Sequence, residues 1–207
     1  MDSALILTSF TALFVVIDPI GLTPMFVALT QGKSNIQRRK IALRACLVAA
    51  GLLTLFGLLG DALLGFIGIS MPAFRIAGGI LLFLTALDML FERRTKRRKT
   101  QAGDDPATDP SVFPLAMPPL AGPGAMATMV LLAGAPGTSW DAVVIVHLMM
   151  LAVIALGFML FLFAGLLERA LGDTGIMVVT RLLGMLLAAL SVQFVLDGIR
   201  EVGLIPT

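Results

Sequence analysis

An aspartate, a glycine and two prolines interrupt the first apolar stretch of the chain, which runs FVVIDPIGLTPMF over residues 14–26. A proline inside a helix removes one amide donor and disturbs the carbonyl four residues earlier. Hydrocarbon cannot satisfy the backbone groups that such a break frees, so the break must face protein or water. The carboxylate there, Asp18, is suited to hold an ammonium group or to carry a proton. The stretch therefore predicts a polar site within an apolar segment.

Asp18 also has a structural interpretation. An aspartate followed by a proline matches a helix N-cap with proline at the first helical position. In that role Asp18 begins a half-helix over residues 19–30. The two interpretations are compatible, because one carboxylate can cap a helix and also contact a substrate or a proton.

A second interruption, FPLAMPPLAGPGAM over residues 113–126, holds more helix breakers than a kink requires. They are Pro114, Pro118, Pro119, Pro123, Gly122 and Gly124. A new half-helix that starts near Gly124 directs its free N–H groups and the positive end of its dipole into the protein, which suits a carboxylate. Carbonyls freed at either interruption suit an ammonium group.

The elements that must position these residues are membrane-spanning helices. Apolar residues make up 58% of the 207 residues and charged residues 14%, and the mean hydropathy is +0.99, all outside the range of soluble proteins. Apolar runs of about twenty residues cross a bilayer as helices, whereas a β-barrel shows alternation over about ten residues. The first run lacks the basic region and the cleavage pattern of a signal peptide, so it is predicted to be retained. The six predicted spans are 4–30, 41–67, 71–91, 113–134, 140–167 and 176–199.

Basic residues fix the predicted orientation, because cytoplasmic loops carry an excess of lysine and arginine. They concentrate in the first, third and fifth connections, as Lys33, Arg38, Arg39, Lys40, Arg44, Arg93, Arg94, Lys96, Arg97, Arg98, Lys99 and Arg169. Both termini are therefore predicted to lie outside the cytoplasm. The third connection, residues 93–112, is predicted to be a flexible cytoplasmic linker. Its basic cluster is explained by topology and anionic lipid, so no nucleic-acid partner is expected.

The linker separates two halves, residues 1–92 and 113–207, that share a pattern. Arg75 and Gly78 of the third span align with Arg181 and Gly184 of the sixth, and both halves open with an interrupted span. Each half has three spans, an odd number, so the two halves must have opposite orientations in the membrane. Inverted repeats with interrupted helices at matching positions are typical of secondary transporters, whose substrate site lies near the bilayer midplane. The predicted fold is therefore all-α, with six transmembrane helices as two inverted three-helix repeats and with the first and fourth helices interrupted.

Other polar residues lie within the predicted spans. Arg75 and Arg181 either extend to the membrane interface or clamp the interrupted helix beside them as struts or gates. Hydroxyl and amide side chains either line the cavity or mediate helix packing; they are Thr23, Thr128, Ser191 and Gln193. The single histidine, His147, is interpreted as a hydrogen-bonded packing residue.

The segments DPIGLTP, FRIAGGILLFLTALDML, PLAMPPLAGPGAM and RLLGMLLAALSVQFVLDGI resemble the MarC family of bacterial inner-membrane proteins over essentially the whole chain. The resemblance implies a transporter or exporter of neutral amino acids such as glycine and alanine, built from two inverted three-helix repeats. It also implies that the interrupted helices bind the substrate through Asp18, Pro19, Gly21, Pro24, Gly122, Pro123 and Gly124. The chain departs from the family pattern D-P-x-G-N-x-P at Leu22, where the family has asparagine. The predicted substrate site also includes Leu22, Thr23 and Ala121, and the residues predicted to couple or gate transport are Asp18, Arg75 and Arg181.

We therefore predict a secondary transporter of small neutral amino acids in the bacterial inner membrane, not an enzyme, that works by alternating access. A proton is the expected coupling ion, and no cofactor is expected. The expected partners are the lipid bilayer and, as one possibility, further copies of the chain in a homo-oligomer. A divalent metal exporter is the alternative, although Asp18, Asp88 and Asp197 are few and dispersed. A membrane thiol–disulfide carrier needs a reactive cysteine in each half, and Cys46 is the only cysteine.

Overall fold

The structure, a computed structural model, describes residues 3–91, 115–116, 120–134 and 138–203. These residues form helices and connecting turns, without a strand among them. The predicted linker at 93–112 lies outside the described residues, as do Pro114, Pro118 and Pro119.

Seven helices follow one another along the described chain. They are α1 (Ser3–Ile17), α2 (Pro19–Leu29), α3 (Asn35–Ile67), α4 (Met71–Leu90), α5 (Pro123–Ala133), α6 (Trp140–Leu162) and α7 (Ala164–Glu201). Five helical segments are long and apolar enough to cross a membrane: Ser3–Leu29, Asn35–Ile67, Met71–Leu90, Trp140–Leu162 and Thr174–Glu201. The shorter apolar helix α5 lies within the predicted fourth span. The prediction of an all-helical, multi-pass membrane protein is confirmed.

Two helix boundaries differ from the predicted spans for local reasons. Helix α3 begins at Asn35 rather than at residue 41, because Ser34 and Gln37 form a capping box that starts the helix in its basic first turns. Helix α6 ends at Leu162 rather than at residue 167, and α7 starts directly after Phe163. Gly172 then interrupts α7 with φ 62° and ψ 175°, a conformation available essentially to glycine alone.

Helices α4 and α7 form the most extensive helix pair and run antiparallel. Near the start of α4, a Cβ added to Gly198 would lie 2.9 Å from the Pro72 carbonyl oxygen. Further along, a Cβ on Gly79 would lie 2.7 Å from the Ser191 carbonyl oxygen. Gly184 approaches the end of α4 in the same way. The two backbones therefore meet closely along their length because glycines occupy the seam, as is common where helices pack in membranes.

The interrupted segments lie at the centre of the bundle. In the span formed by α1 and α2, 50% of the most apolar 18-residue stretch is buried inside the protein. The corresponding share is 33% in α3 and 28% in each of the other three candidate spans. Eight of the 11 residues of α5 are buried. The surrounding helices α3, α4, α6 and α7 expose large leucine and phenylalanine side chains, as lipid-facing helices do. Asp18 and Gly122, the residues at the two interruptions, are both buried, whereas Pro123 is exposed.

Candidate functional site

The first break is the interruption of the helix at Asp18, and it occupies a single residue. Asp18 has φ 51° and ψ 61°, in the left-handed region, and is fully buried. Its amide still donates to the Phe14 carbonyl at 2.9 Å, and its carbonyl accepts from the Leu22 amide at 3.1 Å. Aspartate tolerates this conformation better than most residues with a side chain. The chain thus passes from α1 to α2 through this single left-handed residue, without a loop.

Asp18 caps the helix that follows it. One carboxylate oxygen, Oδ1, accepts from the Gly21 amide at 3.0 Å, and Pro19 occupies the first helical position, where no N–H is needed. The Asp-Pro pair therefore acts as the N-cap that the sequence predicts. The half-helix ends at Leu29, with Thr30 as its C-cap.

The second break is the interruption at Gly122, and it differs from the first in lacking a carboxylate. Gly122 is the N-cap of α5, with φ −80° and ψ 171°, and no side chain caps the helix. Pro123 takes the first helical position, so the first N–H groups of α5 belong to Gly124 and Ala125, both buried. The N-terminus of α5 therefore keeps the positive character that Asp18 offsets in α2.

A backbone hydrogen bond of unusual spacing precedes the second break. The Ala121 amide donates to the Ala116 carbonyl at 2.9 Å, a bond across five residues as in a π-helix. Such turns recur at functional sites, where they re-aim backbone groups. Ala121 is fully buried.

The two breaks lie next to each other. A Cβ added to Gly124 would lie 3.5 Å from Cγ1 of Val16, two residues before Asp18, and 3.1 Å from Cδ2 of Leu82 on α4. On the other side of the first break, Pro19 packs against Gly157 of α6, where the corresponding distance is 3.4 Å. The predicted residues Asp18, Pro19, Gly122 and Gly124 are thus buried around two neighbouring breaks, whereas Pro123 is exposed.

The remaining predicted residues of α2 and α5 serve the half-helices themselves. The Thr23 hydroxyl donates to the Pro19 carbonyl at 3.1 Å, and the Thr128 hydroxyl donates to the Gly124 carbonyl at 2.8 Å. Both hydroxyl hydrogens are therefore already engaged by the backbone. Leu22 is fully buried in the apolar core, and Pro24 lies inside α2.

Four predicted polar residues lie on α4 and α7. Arg75 forms an ion pair with Glu201 at the end of α7, and Arg181 lies exposed on α7. The Ser191 hydroxyl donates to the Ala188 carbonyl at 2.6 Å. Gln193 lines an apolar groove of about 410 Å³ between α1 and α7.

His147 lies on α6 and faces α3. Its Nδ1 is 2.8 Å from the Val143 carbonyl oxygen, which fits the predicted packing role. Its other ring nitrogen, Nε2, is buried against Gly57 of α3 and has no hydrogen-bond partner among the described residues.

Sequence reasoning missed Thr180. This threonine of α7 is 8% exposed, and its hydroxyl oxygen would lie 2.8 Å from a Cβ on Gly21, in the first turn of α2. The only sequence signal is a hydroxyl, next to Arg181, in the otherwise apolar run MVVTRLLG. The position of Thr180 beside the first break depends on the packing of α7 against α2, which the local sequence does not specify.

Known proteins with similar sequences are membrane proteins. A relative from Aquifex aeolicus, described as a UPF0056 membrane protein, is 36% identical over 200 residues, covering 95% of this chain and 93% of the relative. The UPF0056 membrane protein YhcE of Escherichia coli is 34% identical over 203 residues, covering 93% and 91%. A relative from Methanocaldococcus jannaschii is 38% identical over 193 residues, covering 92% and 84%. No solved structure matches the chain at a significant level.

The family match covers nearly the whole chain. Residues 3–203 match the description "MarC family integral membrane protein", and this range includes both helix breaks and the α4–α7 seam. The chain therefore belongs to the MarC family of integral membrane proteins.

Proposed function

We propose that the protein is a secondary transporter of small neutral amino acids, such as glycine or alanine, which bind between the two helix breaks. The observation that carries the proposal is the pairing of two adjacent, buried half-helix N-termini of different charge. One is capped by the Asp18 carboxylate, and the other, with Gly122 as its N-cap, has no side-chain cap among the described residues.

This difference matches the two ends of a zwitterion. The Gly124 and Ala125 amides at the start of α5 suit the carboxylate of an amino acid. The Asp18 carboxylate suits its ammonium group, because a charge-assisted hydrogen bond is strongest where water is excluded. Val16 and Leu82 lie close to Gly124 at the second break, which favours a substrate with a small side chain.

The contacts between helices support an architecture of two inverted repeats. Helices α2 and α5 each have 11 residues and each begin with proline. Helix α2 packs on α6 and α7 of the second half, whereas α5 packs on α3 and α4 of the first. A two-fold axis in the membrane plane would exchange these contacts in this way. At the seam, Gly79 of the first half lies against Ser191 and Val195, and Gly184 of the second half lies against Ala86 and Met89, so each half supplies a glycine to the contact.

Transport then follows alternating access, with the site at the meeting point of the halves and with Asp18 as the carrier of a coupling proton. Among the described residues, no group of three histidine, cysteine, aspartate or glutamate side chains could hold a metal ion. No observation therefore favours the metal-exporter alternative.

The direct test is uptake by the purified protein in liposomes. Labelled glycine and alanine should enter saturably, each should compete with the other, and an imposed pH gradient should change the rate. Leucine should compete weakly because Val16 and Leu82 lie close to Gly124. Absence of flux of every amino acid in a folded preparation would overturn the proposal.

A matched pair of variants links uptake to the second break. Gly124→Ala adds a methyl group 3.1 Å from Leu82 and beside the proposed carboxylate site, so glycine uptake should fall severalfold. Gly51→Ala on α3 adds the same group where no atom lies within 4 Å and should leave uptake unchanged.

A further inference from the structure

We propose that Thr180 completes the ammonium-binding point beside Asp18, and that the site thereby requires a primary amine. The inference rests on the proposed function and narrows its substrate class. Neither the sequence pattern nor the family assigns a role to this residue.

The hydroxyl of Thr180 is unusual among the buried threonines of the described chain. Thr23, Thr30 and Thr128 each donate to a carbonyl four residues earlier, at 3.1, 2.7 and 2.8 Å. The Thr180 hydroxyl is equally inaccessible, yet it has no hydrogen-bond partner among the described residues. A buried hydroxyl left without a partner is destabilising, and a ligand that binds there would supply the missing hydrogen bond.

The position of the hydroxyl identifies where that group would bind. A Cβ on Gly21 would lie 2.8 Å from the Thr180 hydroxyl oxygen and 2.1 Å from Oδ2 of Asp18. The two oxygens therefore face the same side of Gly21 and are no more than about 5 Å apart, the sum of these distances. One nitrogen can donate to two such oxygens, since charge-assisted N–H···O bonds are about 2.7–2.9 Å long.

The glycine at position 21 keeps this space open. Any Cβ there would meet the carboxylate and the hydroxyl at once, so a larger residue would fill the proposed binding point. Asp18 Oδ1 is engaged by the Gly21 amide, which holds the carboxylate in place with Oδ2 towards Thr180.

The chemistry of two converging oxygens favours a primary ammonium. Such a group has three N–H donors, two for Asp18 and Thr180 and a third for a carbonyl freed at the break. N-methylglycine loses one donor and adds bulk, and N,N,N-trimethylglycine has no donor. The expected order of affinity is glycine, then N-methylglycine, then N,N,N-trimethylglycine.

The experiment compares Thr180→Val, which keeps the shape and loses the hydroxyl, with Thr180→Ser, which keeps the hydroxyl. In liposome uptake, Thr180→Val should raise the KM for glycine roughly 10-fold or more, as expected for a lost hydrogen bond to a charged group. It should also reduce the discrimination between glycine and N-methylglycine. Thr180→Ser should stay close to the wild type in both measurements.

Thr30→Val is the matched control, because it removes a buried hydroxyl whose bond lies within its own helix. It should leave the KM and the discrimination unchanged. If Thr180→Val does not fold, Thr180→Ala replaces it and is judged by the same two measurements.

The outcomes separate the two proposals. An unchanged KM and unchanged discrimination in a folded Thr180 variant would overturn this inference while wild-type glycine flux upheld the transporter. Absence of wild-type amino-acid flux would overturn both. A fall in maximal rate alone, with discrimination intact, would assign Thr180 a structural role and would also refute the inference.

Discussion

At the scale of single residues, Asp18 shows how one side chain can serve several needs at once. It adopts a left-handed conformation, caps the Gly21 amide and presents its second oxygen towards Thr180. Asparagine can fill the first two roles, since it tolerates that conformation and caps helices about as well. Only the third role needs a negative charge.

Asp18→Asn should therefore fold normally and lose most coupled uptake, whereas Asp18→Ala should also lose stability. The missing cap costs about 1 kcal/mol and the left-handed alanine about 1–2 kcal/mol more. Thermal unfolding in detergent and glycine uptake in liposomes measure the two effects. Wild-type uptake by Asp18→Asn would limit Asp18 to capping.

Residues of the candidate site could be predicted from the sequence where their roles depend only on neighbours along the chain. An aspartate before a proline specifies a cap through two neighbouring residues, so the first break could be located from the sequence. Thr180 could not be found in this way, because its role depends on α7 facing the first turn of α2. The burial of Leu22 also depends on packing, since the leucine itself has no preference among the faces of an apolar helix.

At the scale of helices, close packing of α4 and α7 explains why glycines recur along them. The number and type of the spans follow from apolar length, but their ends follow from caps such as Ser34 and from the glycine break at position 172. The helix breakers of the predicted fourth span, 113–134, placed the start of a half-helix near Gly124, and the described helix α5 starts at Pro123.

Gly79→Ala should destabilise the protein by about 1–3 kcal/mol, as overpacking does. The new methyl group would lie 2.7 Å from the Ser191 carbonyl oxygen, and backbone cannot move aside as a side chain can. Gly51→Ala is the control and should be neutral or slightly stabilising, because its helix gains alanine without a clash. The apparent melting temperature in detergent measures both, and equal values would contradict this account of the seam.

At the scale of the whole molecule, the orientation in the membrane remains a prediction from the distribution of basic residues. The single cysteine, Cys46, is buried and hence little exposed to reagents. Removing it as Cys46→Ser leaves a background in which single cysteines can be placed in exposed turns. Gln31 follows α2 and Ile69 precedes α4, at opposite predicted faces.

In intact cells, a membrane-impermeant maleimide should label Ile69→Cys and not Gln31→Cys. Inverted membrane vesicles should show the reverse, because the turn at Gln31 is predicted to be cytoplasmic. Labelling in the opposite sense would reverse the orientation without changing the fold.

The equal length of α2 and α5 has an electrical consequence. Each has 11 residues, about 16 Å of helix, or about half of the ~30 Å hydrocarbon core. A charge that moves between the breaks and either face thus crosses about half of the membrane voltage, on the order of 1 kcal/mol per 100 mV. A zwitterion carries no net charge through that field, whereas an accompanying proton does. Voltage dependence of glycine flux would therefore show that a net charge crosses the membrane with the substrate.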